Sequence, residues 1–250
     1  MKLVSNRINL GLAAIAASTS IFATTGVIAY ASPTPKETLF CTNLPADISK
    51  INANINNLTG KLSTAQSNRL KNLNSNWAKV DQTLADDRTK WASDRQTQFT
   101  KLESKATTAA EKAAVSAFET TITAAIKARE SANDAAIASY RSAVSSLVSN
   151  KQSSTNGQVT AFVNAVGATE AAATAACQAN PSDTSIRTTF QSALRSARLT
   201  YISNRSGDSS ISAQIKALAA TRDAAIKANN AAFRAAQTAA EKALKAAFST

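Results

Sequence analysis

Thr107-Thr108-Ala109-Ala110-Glu111 lies almost midway between the two cysteines of the chain, Cys41 and Cys177. Thr108 and Glu111 have the spacing of a capping box, in which an N-cap hydroxyl and the carboxylate three residues on satisfy the free N–H groups of a helix start. A helix is therefore predicted to begin here and an earlier one to end just before it. A hairpin turning near 105–109 brings Cys41 and Cys177 level at its open end, where a single disulfide joins them. Free thiols or a bridge between two chains are the other outcomes that two cysteines allow.

Apolar spacing extends this reading in both directions. Ile48, Ile51, Ile55, Leu58 and Leu62 step by three and four, and Leu73, Trp77, Val80, Leu84, Trp91 and Leu102 continue the seam. Beyond the capping box, Val115, Phe118, Ile122, Ile126, Ala136, Tyr140, Val144 and Leu147 repeat the pattern. This is the stepping of a helix buried along one face, long enough for coiled-coil-like packing. Asn180-Pro181 breaks the second run, and Ser182 or Asp183 can cap the next. Ile186, Phe190, Leu194 and Tyr201 then lead to Ser206-Gly207-Asp208, after which Ile211, Ile215, Leu218, Ile226, Phe233, Leu244 and Phe248 follow.

The expected fold is all-α, an elongated antiparallel up-down-up bundle of three arms of nearly equal length, at 43–106, 109–178 and 182–248. At the helical rise each arm would be roughly 100 Å long. Gly60, residues 153–157 and Gly207 fall at similar distances from the cysteine end, which predicts helices interrupted in a common layer. The competing expectation makes 150–157 a true chain reversal and the bundle compact.

Composition agrees with long helices and narrows the chemistry. Alanine dominates, while only 6 Gly and 4 Pro interrupt 250 residues. Aromatics are 5%, so the seams are thin and alanine-rich, and no alternating strand pattern occurs. The chain has no His, which removes His-based acid–base work, His-activated nucleophiles and the commonest transition-metal ligand. Asp86-Asp87 is an adjacent acidic pair, but consecutive side chains diverge on a helix. Thr155-Asn156-Gly157 and Ser206-Gly207-Asp208 are turn chemistry rather than phosphate loops. No catalytic site, cofactor site or metal site is expected, and the chain is not expected to be an enzyme.

The N-terminus has the pattern of an export signal. Lys2 and Arg7 precede a moderately apolar run from Leu10 to Ile28, and Ala29-Tyr30-Ala31 supplies small residues at −3 and −1. Residues 1–31 are expected to be removed, leaving 32–42 as an extended segment before a helical bundle over 43–250. An uncleaved membrane anchor is the rival reading of the same stretch. Of the net charge of +12, Lys2 and Arg7 account for two, so cleavage leaves +10. An excess of that size suits an anionic partner, such as a wall polymer, lipid headgroups or nucleic acid, with another protein as a further candidate and no small-molecule substrate expected; equally, it could serve only to solvate long helix faces. The basic residues are spread along helices without a recognised nucleic-acid-binding fold, so nucleic acid is not the expected partner.

Charge also enters the seams. Arg88, Arg129 and Arg222 stand at core-phase positions, with Asp87, Glu130 and Asp223 beside them in sequence. An aromatic follows each arginine by 11 residues, namely Phe99, Tyr140 and Phe233. In the three-arm arrangement these arginines fall in nearly one layer. Either they form an interior arginine–carboxylate network that fixes register, or they lie at the seam edge with their stems over alanine. Neither is catalytic.

The alanine-rich helices, Phe40-Cys41, and Arg187-Thr188-Thr189-Phe190-Gln191 followed by Ala197-Arg198 resemble the secreted, uncharacterised helical proteins of ultrasmall candidate-phylum (Patescibacteria-type) bacteria. That resemblance implies a secreted, cell-surface or periplasmic location and brings no activity with it. The expected function is a non-enzymatic structural or interaction protein at the cell surface, meeting an anionic partner through basic helix faces. A periplasmic holdase-like chaperone and an amphipathic lipid-binding protein are the alternatives.

Overall fold

The computed structural model describes residues 38–206 and 211–249. These are helical almost throughout and include no strand. Four helices follow in order: α1 (Thr38–Lys105), α2 (Ala109–Ala179), α3 (Ser185–Ser206) and α4 (Ile211–Ala247). The proposed signal at 1–31, the segment 32–37 and Gly207 lie outside the described residues.

The turn between α1 and α2 forms where the capping box predicts it. The Glu111 carboxylate accepts from the backbone N–H groups of Thr107 and Thr108, both at 2.8 Å, and from the Thr107 hydroxyl at 2.9 Å. In return, the Glu111 N–H donates to Thr108 Oγ1 at 3.1 Å. Buried Ala106 closes α1 through its N–H on the Glu103 carbonyl. After Asn180-Pro181, Asp183 rather than Ser182 caps α3: its Oδ1 accepts the Ser185 N–H at 2.8 Å.

Two sequence expectations need correction. Residues 38–42 are helical rather than extended, because α1 starts at Thr38 and continues through Pro45. A proline there costs a helix about 3 kcal/mol. Tertiary anchors just before it offset this: Leu44 is 2% exposed, and the Phe40 and Phe190 rings lie 5.9 Å apart. Second, α1 passes Gly60 and α2 passes 150–157 without a break, so neither the interruption nor the chain reversal is present in these two helices. Gly60 and Gly157 have ordinary negative φ and sit on exposed faces, where a Cβ would meet nothing within 4 Å. A helical glycine costs only about 1 kcal/mol relative to alanine, too little to stop a long, packed helix. The span 182–248 contains two helices, α3 ending at Ser206 and α4 starting at Ile211, on either side of the expected break at 206–208.

The chain divides into two compact units. Unit 1 comprises Met1–Asn74 and Val148–Ser210, and unit 2 comprises Ser75–Leu147 and Ile211–Thr250. In unit 1, Cys41 and Cys177 form a disulfide with Cα atoms 5.5 Å apart. Around it pack Leu44, Ile51, Val166, Ala173, Ile186 and Phe190. Helices α1 and α2 run antiparallel there: Asn52 donates to Glu170, and fourteen residues further along α1, Gln66 donates to Asn156, fourteen residues back along α2. α3 pairs with α2 through Phe162 and Tyr201, whose rings are 5.5 Å apart. In unit 2, the core is Phe99, Ile122, Ile126, Phe233 and Ala240, with Phe99 edge-on to Phe118 at 6.1 Å. Val80 departs from its seam assignment and is 42% exposed.

Hydrogen bonds from Thr108 and Thr107 to the charged form hold the Glu111 carboxyl at about 2, against an ordinary 4.5, the backbone N–H of Thr108 contributing most. Its folded value lies below its unfolded one, so its contribution to stability is complete above about 4.5 and is lost as pH falls towards 2. Thermal unfolding of the native chain and of Glu111→Gln is expected to differ most at neutral pH and to converge near pH 2. A gap that persists unchanged at pH 2 would contradict this assignment.

Candidate functional site

The most ordered polar arrangement lies in unit 2, on the facing sides of α1, α2 and α4. Arg88 of α1 reaches α2, where its guanidinium donates to both carboxylate oxygens of Asp134, at 3.0 and 2.6 Å, with Glu130 at 3.9 Å. One heptad back on α1, Asp81 accepts both terminal nitrogens of Arg141, each at 2.7 Å, one heptad onward on α2. The two pairs carry opposite polarity: base on α1 in one, base on α2 in the other. Asp-x6-Arg at 81–88 thus meets a second Asp-x6-Arg at 134–141 running the other way.

A second reciprocal pairing joins α2 to α4. The Arg129 guanidinium lies 4.4 Å from the centre of the Phe233 ring, and that of Arg222 lies 4.5 Å from the Tyr140 ring. Between them, Asn229 donates to Asn133 at 3.0 Å. The Arg-x10-aromatic spacing seen in the sequence therefore works across helices. Each arginine stacks on the aromatic of the other helix rather than on its own. Arg222 is only 6% exposed and also donates to Asp223 through Nε and Nη2, at 2.9 and 2.7 Å.

These contacts set the charge states. The hydrogen bond to Asp134 raises Arg88 above its usual range, and the Arg141 hydrogen bond lowers Asp81. Burial lowers Arg129, with Arg95 and Arg88 adding repulsion against the attraction of Glu130. Burial also raises the Tyr140 hydroxyl. Arg88 and Arg129 are thus close enough to feel each other. Arg222 sits level with Tyr140, eleven residues or roughly 16 Å along α2 from Arg129. Of the six predicted polar-layer residues, Arg88, Arg129, Arg222, Glu130 and Asp223 take part, while Asp87 is exposed and outside the arrangement. Asp81, Asp134, Arg141 and the Asn133–Asn229 pair were missed. The repeated Asp-x6-Arg spacing is the signal that could have found the first three.

Acidic residues divide unevenly between the units. The described part of unit 1 has nine basic residues and three acidic ones, whereas unit 2 has sixteen and eleven, so their net charges are +6 and +5. The three described acids of unit 1 each have a partner. Asp47 pairs with Lys50 at 3.7 Å, Glu170 is 9% exposed and accepts from Asn52, and Asp183 caps α3. Among the described residues, no group of His, Cys, Asp or Glu stands close enough to hold a metal ion. No family model, curated protein or solved structure matches the chain.

Exposed ion pairs contribute little singly, about 0–1 kcal/mol, but bidentate arginine–carboxylate geometry is the favourable case. Arg141→Asp, which sets two carboxylates face to face, is expected to lower stability in urea by about 1 kcal/mol. Asp81→Arg/Arg141→Asp should recover most of that loss, giving a coupling of about 0.5–1 kcal/mol. Strict additivity of the two changes would show that the pair does not set the fit of α1 on α2.

Proposed function

We propose that the chain is an exported, non-enzymatic structural and interaction protein of the cell surface that binds an anionic partner through basic helix faces. The observation that carries this reading is the charge balance of unit 1. In its described part nine lysines and arginines face three carboxylates, a net charge of +6 that sets the sign of its outward field. The disulfide fits the oxidising compartment that the N-terminal signal pattern implies, and the resemblance to secreted helical proteins points the same way.

In this reading α3 and α4 together serve as the third arm of an up-down-up arrangement. Antiparallel pairing of α2 with α3 in unit 1 and with α4 in unit 2 supports it. An Asn133→Cys/Asn229→Cys variant should cross-link within one chain on oxidation; a pair that stays reduced contradicts the arrangement.

Retention on an immobilised anionic wall polymer tests the functional proposal. The protein should bind at low ionic strength and elute as salt rises, since a surface field is screened beyond about 8 Å at 0.15 M. Passage through the column at low salt would refute an anionic partner of this kind.

A further inference from the structure

Helix α3 presents an outward face that the packing of unit 1 leaves uncovered. Its inward side chains Ile186, Phe190 and Tyr201 are buried. Leu199, by contrast, is 59% exposed and Ile202 47% exposed. Arg195 stands one turn before Leu199, and Arg198 one turn before Ile202, so the four make one patch. Both arginines are exposed, and neither has an ion-pair partner among the described residues. The whole of Ser185–Ser206 carries four arginines and no acidic residue.

We propose that this patch docks unit 1 onto the surface of a membrane containing anionic phospholipid. Arg195 and Arg198 contact headgroup phosphates, and Leu199 and Ile202 enter the boundary between headgroups and acyl chains. The inference rests on the anionic-partner reading and names the partner. Guanidinium forks match phosphate oxygens, and cationic residues flanking apolar ones are the arrangement that binds a membrane interface. An anionic polysaccharide or wall polymer would satisfy the arginines but offers nothing to two exposed aliphatic side chains. A second copy of this chain is disfavoured by like charge, because the described part of unit 1 carries nine basic residues against three acidic ones and unit 2 is also net positive. The first 36 residues of the chain contain no Asp or Glu, so they lack the complementary charge as well. No helix among the described residues is long and apolar enough to cross a membrane, so the proposed contact is peripheral.

The test compares the full chain with two double variants, Arg195→Gln/Arg198→Gln and Leu199→Ser/Ile202→Ser, by co-sedimentation with vesicles. One vesicle set is phosphatidylcholine alone and the other contains phosphatidylglycerol. All proteins share the same N-terminal segment, so differences between them report on α3. Far-ultraviolet circular dichroism and an intact disulfide verify the fold. Each arginine near an anionic surface is worth about a fivefold change in partitioning. The arginine pair should therefore lower partitioning onto phosphatidylglycerol vesicles about 25-fold, and the aliphatic pair about tenfold. Unchanged partitioning of either variant overturns the proposal. If the native chain still binds the wall polymer in that case, only the membrane assignment fails. Binding to neither vesicles nor polymer removes the anionic-partner reading as well.

Discussion

Two long helices packed antiparallel can slide, because apolar positions recur every heptad along α1 and the facing α2 is rich in small alanine side chains. The structure depends on contacts that tell these registers apart. In unit 2, Asp81–Arg141 and Arg88–Asp134 do so through their opposed polarity. A slip of seven residues one way would place Asp81 against Asp134, and the other way Arg88 against Arg141. Both slips exchange attraction for like-charge repulsion, so these pairs matter more for what they forbid than for what they add. Their intrinsic contribution is small, as expected of partly exposed ion pairs.

The α2–α4 seam uses the same device with different chemistry. Arg129 and Arg222 each stack on the aromatic of the neighbouring helix, and an eleven-residue slip would bring the two arginines together. In both seams a short motif meets a second copy of itself running backwards, which an antiparallel pair can satisfy at one offset. Arg222 is buried and Arg129 half-buried, and each guanidinium is directed to a ring of the neighbouring helix.

The helical class, the α1–α2 turn and the cysteine pairing were legible because each depends on local spacing or on a count. Thr108 and Glu111 have the capping-box spacing, and a turn midway between the two cysteines brings them level. The continuity of α1 and α2 was not legible. Gly60 and Gly157 read as punctuation, but their effect is decided by whether the neighbouring helix needs that segment, and an open face accepts an ordinary helical glycine. Helix through Pro45 was likewise hidden, since the buried Leu44 and the ring contact of Phe40 that hold it come from distant sequence. The polar layer was half visible. Core phase marks Arg88, Arg129 and Arg222, but nothing along one helix says which neighbour's aromatic or carboxylate each will take.

In unit 1, where Asn52–Glu170 and Gln66–Asn156 share one register, sliding α1 along α2 by a heptad would carry Cys41 about 10 Å along the axis from Cys177, beyond the roughly 7 Å Cα separation that a disulfide tolerates. Peptide mapping of the monomeric protein without reduction is therefore the most direct measurement. The expected product is a single linked pair of peptides, one containing Cys41 and the other Cys177. Two unlinked thiols in protein isolated from an oxidising compartment, or a bridge found only between chains, would contradict the register described above.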